Sequence, residues 1–233
     1  MAVEHVTIPA RFNGPPTTAN GGYACGLVAA AIGASATVRL VAPPPLDVPL
    51  QRRREDGVVR LVDGETVIAE GRPGEPSAEV RTPPSLDAAA RASEGYAWRD
   101  PEHHVFPSCF VCGPLRRADG LRIYPGPIGA DGAIACTWTP ADDLAVDGVV
   151  DPRFVWSALD CPSGLACMPP GRQSVLASMT AAIGAPVHAG RPCVVTAWPV
   201  GSQGRKHRAV SALHDAEGGL VARAEALWIT LRA

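Results

Sequence analysis

No stretch of the 233 residues comes near the roughly 18 consecutive apolar residues that a membrane-spanning helix requires. The first residues, MAVEHVTIPARF, have neither the basic start nor the apolar core of a signal peptide, which predicts a cytoplasmic protein. Neither sign of charge is in large excess. The formal net charge is −2, so the basic footprint of a nucleic-acid binder is missing. The seven cysteines are odd in number and scattered, and with no export signal they predict free thiols rather than a disulfide scaffold. The glycine-rich segments match neither a P-loop nor a dinucleotide fingerprint. Ser163, in CPSGLA, lacks the G-x-S-x-G frame of a nucleophile elbow.

What the chain does have is punctuation. Pro and Gly, 24 of each, gather in turns such as APPPLDVP, GRPGEP and YPGPIG between short alternating runs, the pattern of a strand-rich protein with few helices. The length fits one large domain or two of about 100 residues each. Residues 82–107 have mixed polarity and little periodicity and read as a connector. The elements on either side follow a similar order. A strand from Val3 to Ile8 leads to an apolar helix that begins at Asn20-Gly21-Gly22, and the runs ATVRLVA, DVPLQRRR, GVVRLVDG and TVIAEG read as strands. In the second half GLRIYPG and GAIACTWTP precede a helical pattern from Asp151 to Met168. The runs SVLASMTAAIG, PCVVTAWPV, HRAVSALHD and GLVARAEALWITL follow as strands. The closing hairpins, VVRLVDGETVIAEG and AVSALHDAEGGLVARAEA, can be laid over one another. Their period is too long for a solenoid, so two copies of one strand–helix–sheet unit are expected, residues 1–100 and 101–233. Residues 23–32 are apolar nearly all round, as a helix enclosed by strands must be.

The second helix has a defined start, with Asp151 as N-cap and Pro152 at the first helical position. Pro162 is expected to kink or break it, because it has no N–H to bond back to residue 158. Asp160 lies off the apolar stripe of this helix. A carboxylate there is costly unless it is paired, hydrogen-bonded or used. It is either a solvent-facing or structurally paired acid, or a general base, and less often a nucleophile. At the other helix, the glycines admit a ligand to the backbone, and the first helical N–H groups have no partner within the helix. The amides of Gly22 and Tyr23 are therefore candidates to hold a carbonyl oxygen, against the alternative of a glycine-rich tight turn.

These motifs carry a resemblance. The Gly-Gly helix start, CFVCGPLRRADGLRI, the ALD helix and the GRKHRAVSAL and DAEGGLVARAEALWITL ending resemble hotdog-fold acyl-CoA thioesterases, and the tandem order resembles their double-hotdog members. The resemblance implies an α+β fold, a double hotdog with a long central helix wrapped by an antiparallel sheet in each half. It also implies an acyl-thioester site at the junction of the halves. Many family members open the helix with His-Gly-Gly; Asn20, Gly21 and Gly22 stand here instead, so the imidazole is missing. The family's acid, about two turns into the helix, corresponds to Ala29–Ala31 in the first half and to Asp160 in the second. One composite site is expected, with Asp160 as the acid, the amides after Asn20-Gly21 as oxyanion donors, and Asn20 orienting water or thioester.

The basic cluster Arg205, Lys206, His207 and Arg208 is either a coenzyme A phosphate site or a solvated turn that protects an edge strand. Cys109 and Cys112 form a C-x-x-C with His103 and His104 upstream. No second C-x-x-C exists, and Cys136, Cys161 and Cys167 are not spaced to complete a zinc site, so no metal is expected. Cys161 has no His that could be placed beside it and reads as a small buried hydrophobe. No cofactor is expected beyond the coenzyme A of the substrate. The expected activity is hydrolysis of an acyl-CoA to a free acid and CoA. The alternative is a noncatalytic binder of acyl-CoA or a lipid-like ligand, and the His-Asp pair of a hotdog dehydratase is missing. The chain is expected to be a pseudo-dimer in itself, free to pair further into a homodimer.

Overall fold

In the computed structural model, which describes residues 4–33, 35–116, 118–168 and 172–232, the strands of both halves join into one antiparallel sheet. The first half supplies β1 (Glu4–Thr7), α1 (Gly21–Ala29), β2 (Ser35–Leu40), β3 (Pro49–Glu55), β4 (Val58–Asp63) and β5 (Thr66–Pro73). After α2 (Leu86–Glu94) come β6 (Gly126–Pro127), β7 (Ile134–Trp138) and a small hairpin of β8 (Ala145–Val146) and β9 (Val149–Val150). The chain ends with α3 (Pro152–Cys167), β10 (Ser174–Ile183), β11 (Cys193–Gln203), β12 (Lys206–His214) and β13 (Leu220–Thr230). Val3, the expected start of the first strand, lies outside the described residues.

The main sheet has eleven strands in the order β1-β3-β4-β5-β2-β10-β13-β12-β11-β7-β6. Its seam is β2 against β10, where Val38 faces Met179 and Thr37 faces Thr180, with the two threonine hydroxyls 2.9 Å apart. Each half thus hides an edge that would otherwise be open for aggregation.

Both long-predicted helices lie against this sheet and against each other. α1 packs on β2, β4 and β5 and reaches β10, while α3 packs on β7 and on β10 through β13. Every residue of α1 from Gly22 to Ala29 is buried, which explains why its sequence has no polar face. The glycines of α1 set how closely α3 can approach. A Cβ on Gly22 would lie 2.6 Å from both the Asp160 Cβ and the Trp156 carbonyl oxygen, and one on Gly26 would lie 2.8 Å from the Arg153 Cα. The two helices therefore meet backbone to backbone along one turn.

α3 begins as expected: the Asp151 side chain accepts from the Arg153 N–H at 2.9 Å, and Pro152 fills the first position. Pro162 does not break it. The helix continues to Cys167, and side chains serve carbonyls around the proline: Ser211 Oγ donates to the Leu159 carbonyl at 2.8 Å and Ser163 Oγ to the Asp160 carbonyl at 2.6 Å.

Two local readings are corrected. The segment read as a plain connector contains α2, capped by Ser85, whose Oγ accepts from the Ala88 N–H at 3.2 Å. Its buried residues are only Ala89 and Ala92, which pack on Ala135 and Val194, so the apolar stripe is made of residues too small to stand out. Alternation along β7 and β11 puts that contact on the face away from α3. The segment GLRIYPG reaches regular strand only at its last residue, Gly126, where the two-residue β6 begins; upstream, the Leu121 and Ile123 N–H groups bond to the Phe110 and Val111 carbonyls instead.

Replacing Gly26 with Val is expected to lower stability by about 1–3 kcal/mol, because the backbone of α3 cannot yield to a side chain. Gly201→Ala, where no atom lies within 4 Å of an added Cβ, is the matched control. Urea unfolding of both variants checks the difference.

Candidate active site

α1 and α3 cross so that the start of one faces the middle of the other. Asp160 sits on α3 with 2% of its surface exposed. Its Oδ2 accepts two hydrogen bonds from the first half of the chain, from Asn20 Nδ2 at 2.8 Å and from the Gly22 N–H at 2.9 Å. Its Oδ1 is buried and has no partner among the described residues. Burial pushes this carboxyl up to about 7; the Gly22 N–H draws it back down, neighbouring Cys109 adds to the rise, and the Asn20 amide again opposes it.

Asn20 is the N-cap of α1 and works with both ends of its amide. Its Oδ1 accepts from the Tyr23 N–H at 2.9 Å while its Nδ2 reaches Asp160. Capping is thus combined with holding the acid, which an imidazole in this position would do differently. The expected oxyanion donors are affected directly. The amides of Gly22 and Tyr23 are not open: Asp160 takes one and Asn20 the other. The physical reason is the close helix crossing, which brings the carboxylate onto the helix start. No acceptor for the Gly21 N–H is found among the described residues, and Gly21 lines the cavity described next. Tyr23 points elsewhere. Its ring stacks on Phe12 with centroids 4.4 Å apart, and its hydroxyl accepts from Arg153 at 3.3 Å.

A cavity of about 330 Å³ opens beside Asp160. Asn20, Gly21, Asp160, Cys109, Cys112 and Cys161 form its polar end, and Leu40, Leu165, Val175, Leu176 and Trp228 form much of its apolar wall. That volume and lining fall at the lower end of the range for small-molecule pockets. Residues of both halves contribute, and the seam strands β2 and β10 supply Leu40 and Leu176.

The basic cluster is placed at the turn between β11 and β12, and none of its four residues lines the cavity. His207 is buried and engaged on both ring nitrogens, with Ser202 at 2.8 Å and Thr230 at 2.9 Å. Arg205 donates to the Thr230 carbonyl at 3.1 Å, while Lys206 and Arg208 are exposed. Because Ser174 faces Thr230 across the β10–β13 ladder, this turn lies at the same end of the sheet as Arg172, an exposed cation that does line the cavity. Sequence reasoning missed Arg172, since a single charge before a strand carries no pattern. Ser163 is occupied, donating to the Asp160 carbonyl and accepting from Trp228 Nε1 at 2.9 Å.

The C-x-x-C also gains a neighbour that spacing could not reveal. The Sγ atoms of Cys109, Cys112 and Cys161 all lie within 4.8 Å of one another. Thiol hydrogen bonds from Cys112 and Cys161 hold Cys109 well below the usual thiol range, and those two are held above it. His104 is buried and used structurally, between the Tyr96 hydroxyl at 3.0 Å and the Phe106 N–H at 2.9 Å.

No family model matches the sequence, and no curated protein matches it either. Solved structures do match the fold over nearly the whole chain. A tesB protein of Mycobacterium avium subspecies paratuberculosis is 12% identical with a TM-score of 0.63, the match covering 99% of this chain and 93% of that one. Acyl-CoA thioesterase II TesB2 of Mycobacterium marinum is 13% identical with a TM-score of 0.63 and the same coverage, 99% and 93%. A conserved protein of Alicyclobacillus acidocaldarius, described as having a hot dog fold, is 11% identical with a TM-score of 0.61, covering 99% of this chain and 94% of that one. Among the described residues, no helix is long and apolar enough to cross a membrane. A large antiparallel sheet wrapped on buried helices, shared with these structures from end to end, is what this sequence builds: the chain has the hotdog fold.

Proposed function

We propose that the chain is a double hotdog, with halves at residues 1–100 and 101–233, and that it hydrolyses an acyl-CoA thioester in the cavity at their junction. The observation that carries this reading is the division of labour within the Asp160 carboxylate. Oδ2 is fixed by Asn20 and Gly22, while the buried Oδ1 has no partner among the described residues, in a residue that lines the cavity. A carboxylate oxygen in that state is costly for folding and useful for taking a proton.

In this mechanism Asp160 Oδ1 accepts a proton from water as the water oxygen attacks the thioester carbonyl. The Gly21 N–H, at the positive end of α1, faces the oxyanion that forms. Collapse of the tetrahedral intermediate breaks the carbon–sulfur bond. The leaving CoA thiolate then takes the proton held by Asp160. Leu165, Val175 and Leu176 receive the acyl group, and Arg172, with Arg205 at the same end of the sheet, meets the phosphates of CoA. The named function of the M. marinum neighbour is in keeping with this assignment.

A binding protein is the second reading, favoured by the engagement of the Gly22 and Tyr23 amides. Release of free thiol from short, medium, long and aromatic acyl-CoAs separates the two. Asp160→Asn is expected to lower kcat by roughly 10²–10⁴-fold while acyl-CoA still raises the melting temperature. Equal turnover in the variant would remove Asp160 from the mechanism; thermal shifts with no turnover in the unaltered protein would establish the binder.

Two further outcomes follow from the geometry. Asn20→Ala should lose about 0.5–2 kcal/mol of stability through the missing cap, and kcat should fall because Asp160 is no longer held; Asn20→Ser, which can still cap, should recover stability without recovering kcat. Thermal unfolding and steady-state kinetics on both variants test this. Arg172→Glu should raise KM for acyl-CoA several-fold with kcat unchanged, an effect that salt reduces.

A further inference from the structure

The three cysteine sulfurs beside the cavity come from two unrelated parts of the chain. Cys109 and Cys112 lie on the loop before β6, and Cys161 follows Asp160 on α3. The Cys109 and Cys161 sulfurs are 3.7 Å apart. An ion bound tetrahedrally with metal–sulfur distances of about 2.3 Å holds its sulfurs about 3.8 Å from each other. A disulfide would instead require about 2.05 Å, and all three cysteines are free.

The loop is built to present its two sulfurs. The Gly113 N–H donates to the Cys109 carbonyl at 2.9 Å. A Cβ at position 113 would lie 2.5 Å from the Cys109 nitrogen, so the turn closes only around glycine. The turn is anchored from outside as well. Phe110 N–H bonds to the Asn13 carbonyl at 2.8 Å, and the Tyr96 hydroxyl bonds to the Cys112 carbonyl at 3.0 Å. Hydrogen bonds that fix the loop in this way also fix the direction of the side chains it carries, as outer partners do for metal ligands. Asn20 Nδ2, already on Asp160, lies 3.7 Å from Cys161 Sγ and orients the third sulfur.

The fourth side of the cluster is the cavity, which all three cysteines line. His104 also lines it, but both of its ring nitrogens are engaged, so it does not complete the set. We propose that Cys109, Cys112 and Cys161 bind one zinc ion as three thiolates, with the fourth coordination position open to the cavity. Soft thiolates select zinc over the hard divalent ions. Three protein ligands with one exchangeable position is the arrangement of a reactive rather than a purely structural zinc site. Each thiol that is still protonated releases its proton to solvent on binding. Zinc there also ties α3 to the loop that precedes β6. This inference stands apart from the thioesterase reading, because its readouts require no turnover.

The test uses the full chain, reduced, stripped with a chelator, and titrated without oxygen with Zn²⁺ alone and with Co²⁺ alone. One equivalent of either should bind. Cobalt should show thiolate-to-metal charge-transfer absorption together with the strong visible bands of tetrahedral coordination, and zinc should protect three of the seven thiols from alkylation. Cys161→Ser and Cys112→Ser should abolish the charge-transfer band or weaken it sharply, and Cys193→Ser on β11 should keep it. The alkylation count on the unaltered chain holds the test open should a variant misfold. Absence of stoichiometric binding, an unchanged cobalt spectrum in Cys161→Ser, or a zinc-dependent loss of alkylation at thiols other than these three would each overturn the proposal.

Discussion

A backbone N–H of one buried helix donates to a buried carboxylate of another, and much else in the molecule follows from that contact. Gly22 can reach Asp160 only because it lacks a Cβ, and Gly26 keeps the same clearance one turn further on. The helices themselves are held at this distance by a sheet that runs unbroken beneath them, from β1 through the β2–β10 seam to β6. If the sheet were two separate sheets, the crossing would depend on the helices alone. Joined at the seam, the halves have little freedom to slide.

Burying a carboxylate costs several kcal/mol unless hydrogen bonds replace its water. Here the compensation is one-sided. Two donors serve Oδ2, and Oδ1 receives none from the described residues. A purely structural acid would be expected to satisfy both oxygens, as Asp151 does: Oδ1 accepts from the Arg153 N–H and Nε, and Oδ2 from Arg153 Nη2. The asymmetry is therefore a local departure from the general rule that buried polar atoms find partners, and such departures concentrate at sites of function. Placing Asn20 at the helix cap lets a single side chain satisfy the helix start and orient the acid.

The same crossing assembles the rest of the cavity. Cys161 comes with Asp160 on α3, the loop at 109–113 is pinned against the first half through Asn13, and Leu40 and Leu176 meet across the seam. Polar and reactive atoms collect at one end and apolar side chains line the remainder, so a ligand entering the cavity has its orientation set. The exposed guanidinium of Arg172 and the β11–β12 turn mark the end of the sheet where charge meets solvent.

Much of the fold was legible from alternation and punctuation. The strands that became β2 to β5 and β10 to β13, the all-apolar α1, and the Asp151-Pro152 start of α3 could be read in the sequence because those signals are local. α2 escaped because alanine buries little and gives a faint stripe, and Pro162 misled because packing on β10 to β13 holds α3 together past the proline. Asp160 and the Asn20-Gly21-Gly22 start could each be singled out as residues, and a single composite site could be expected from the resemblance. Which amides stay open could not be read, because that depends on how closely Gly22 and Asp160, 138 residues apart in the chain, approach. Nor could the grouping of Cys161 with Cys109 and Cys112. Local sequence determined the elements and the chemically capable residues; only the tertiary structure decided their partners, because hydrogen bonds and metal geometry depend on distances across space that spacing along the chain does not encode.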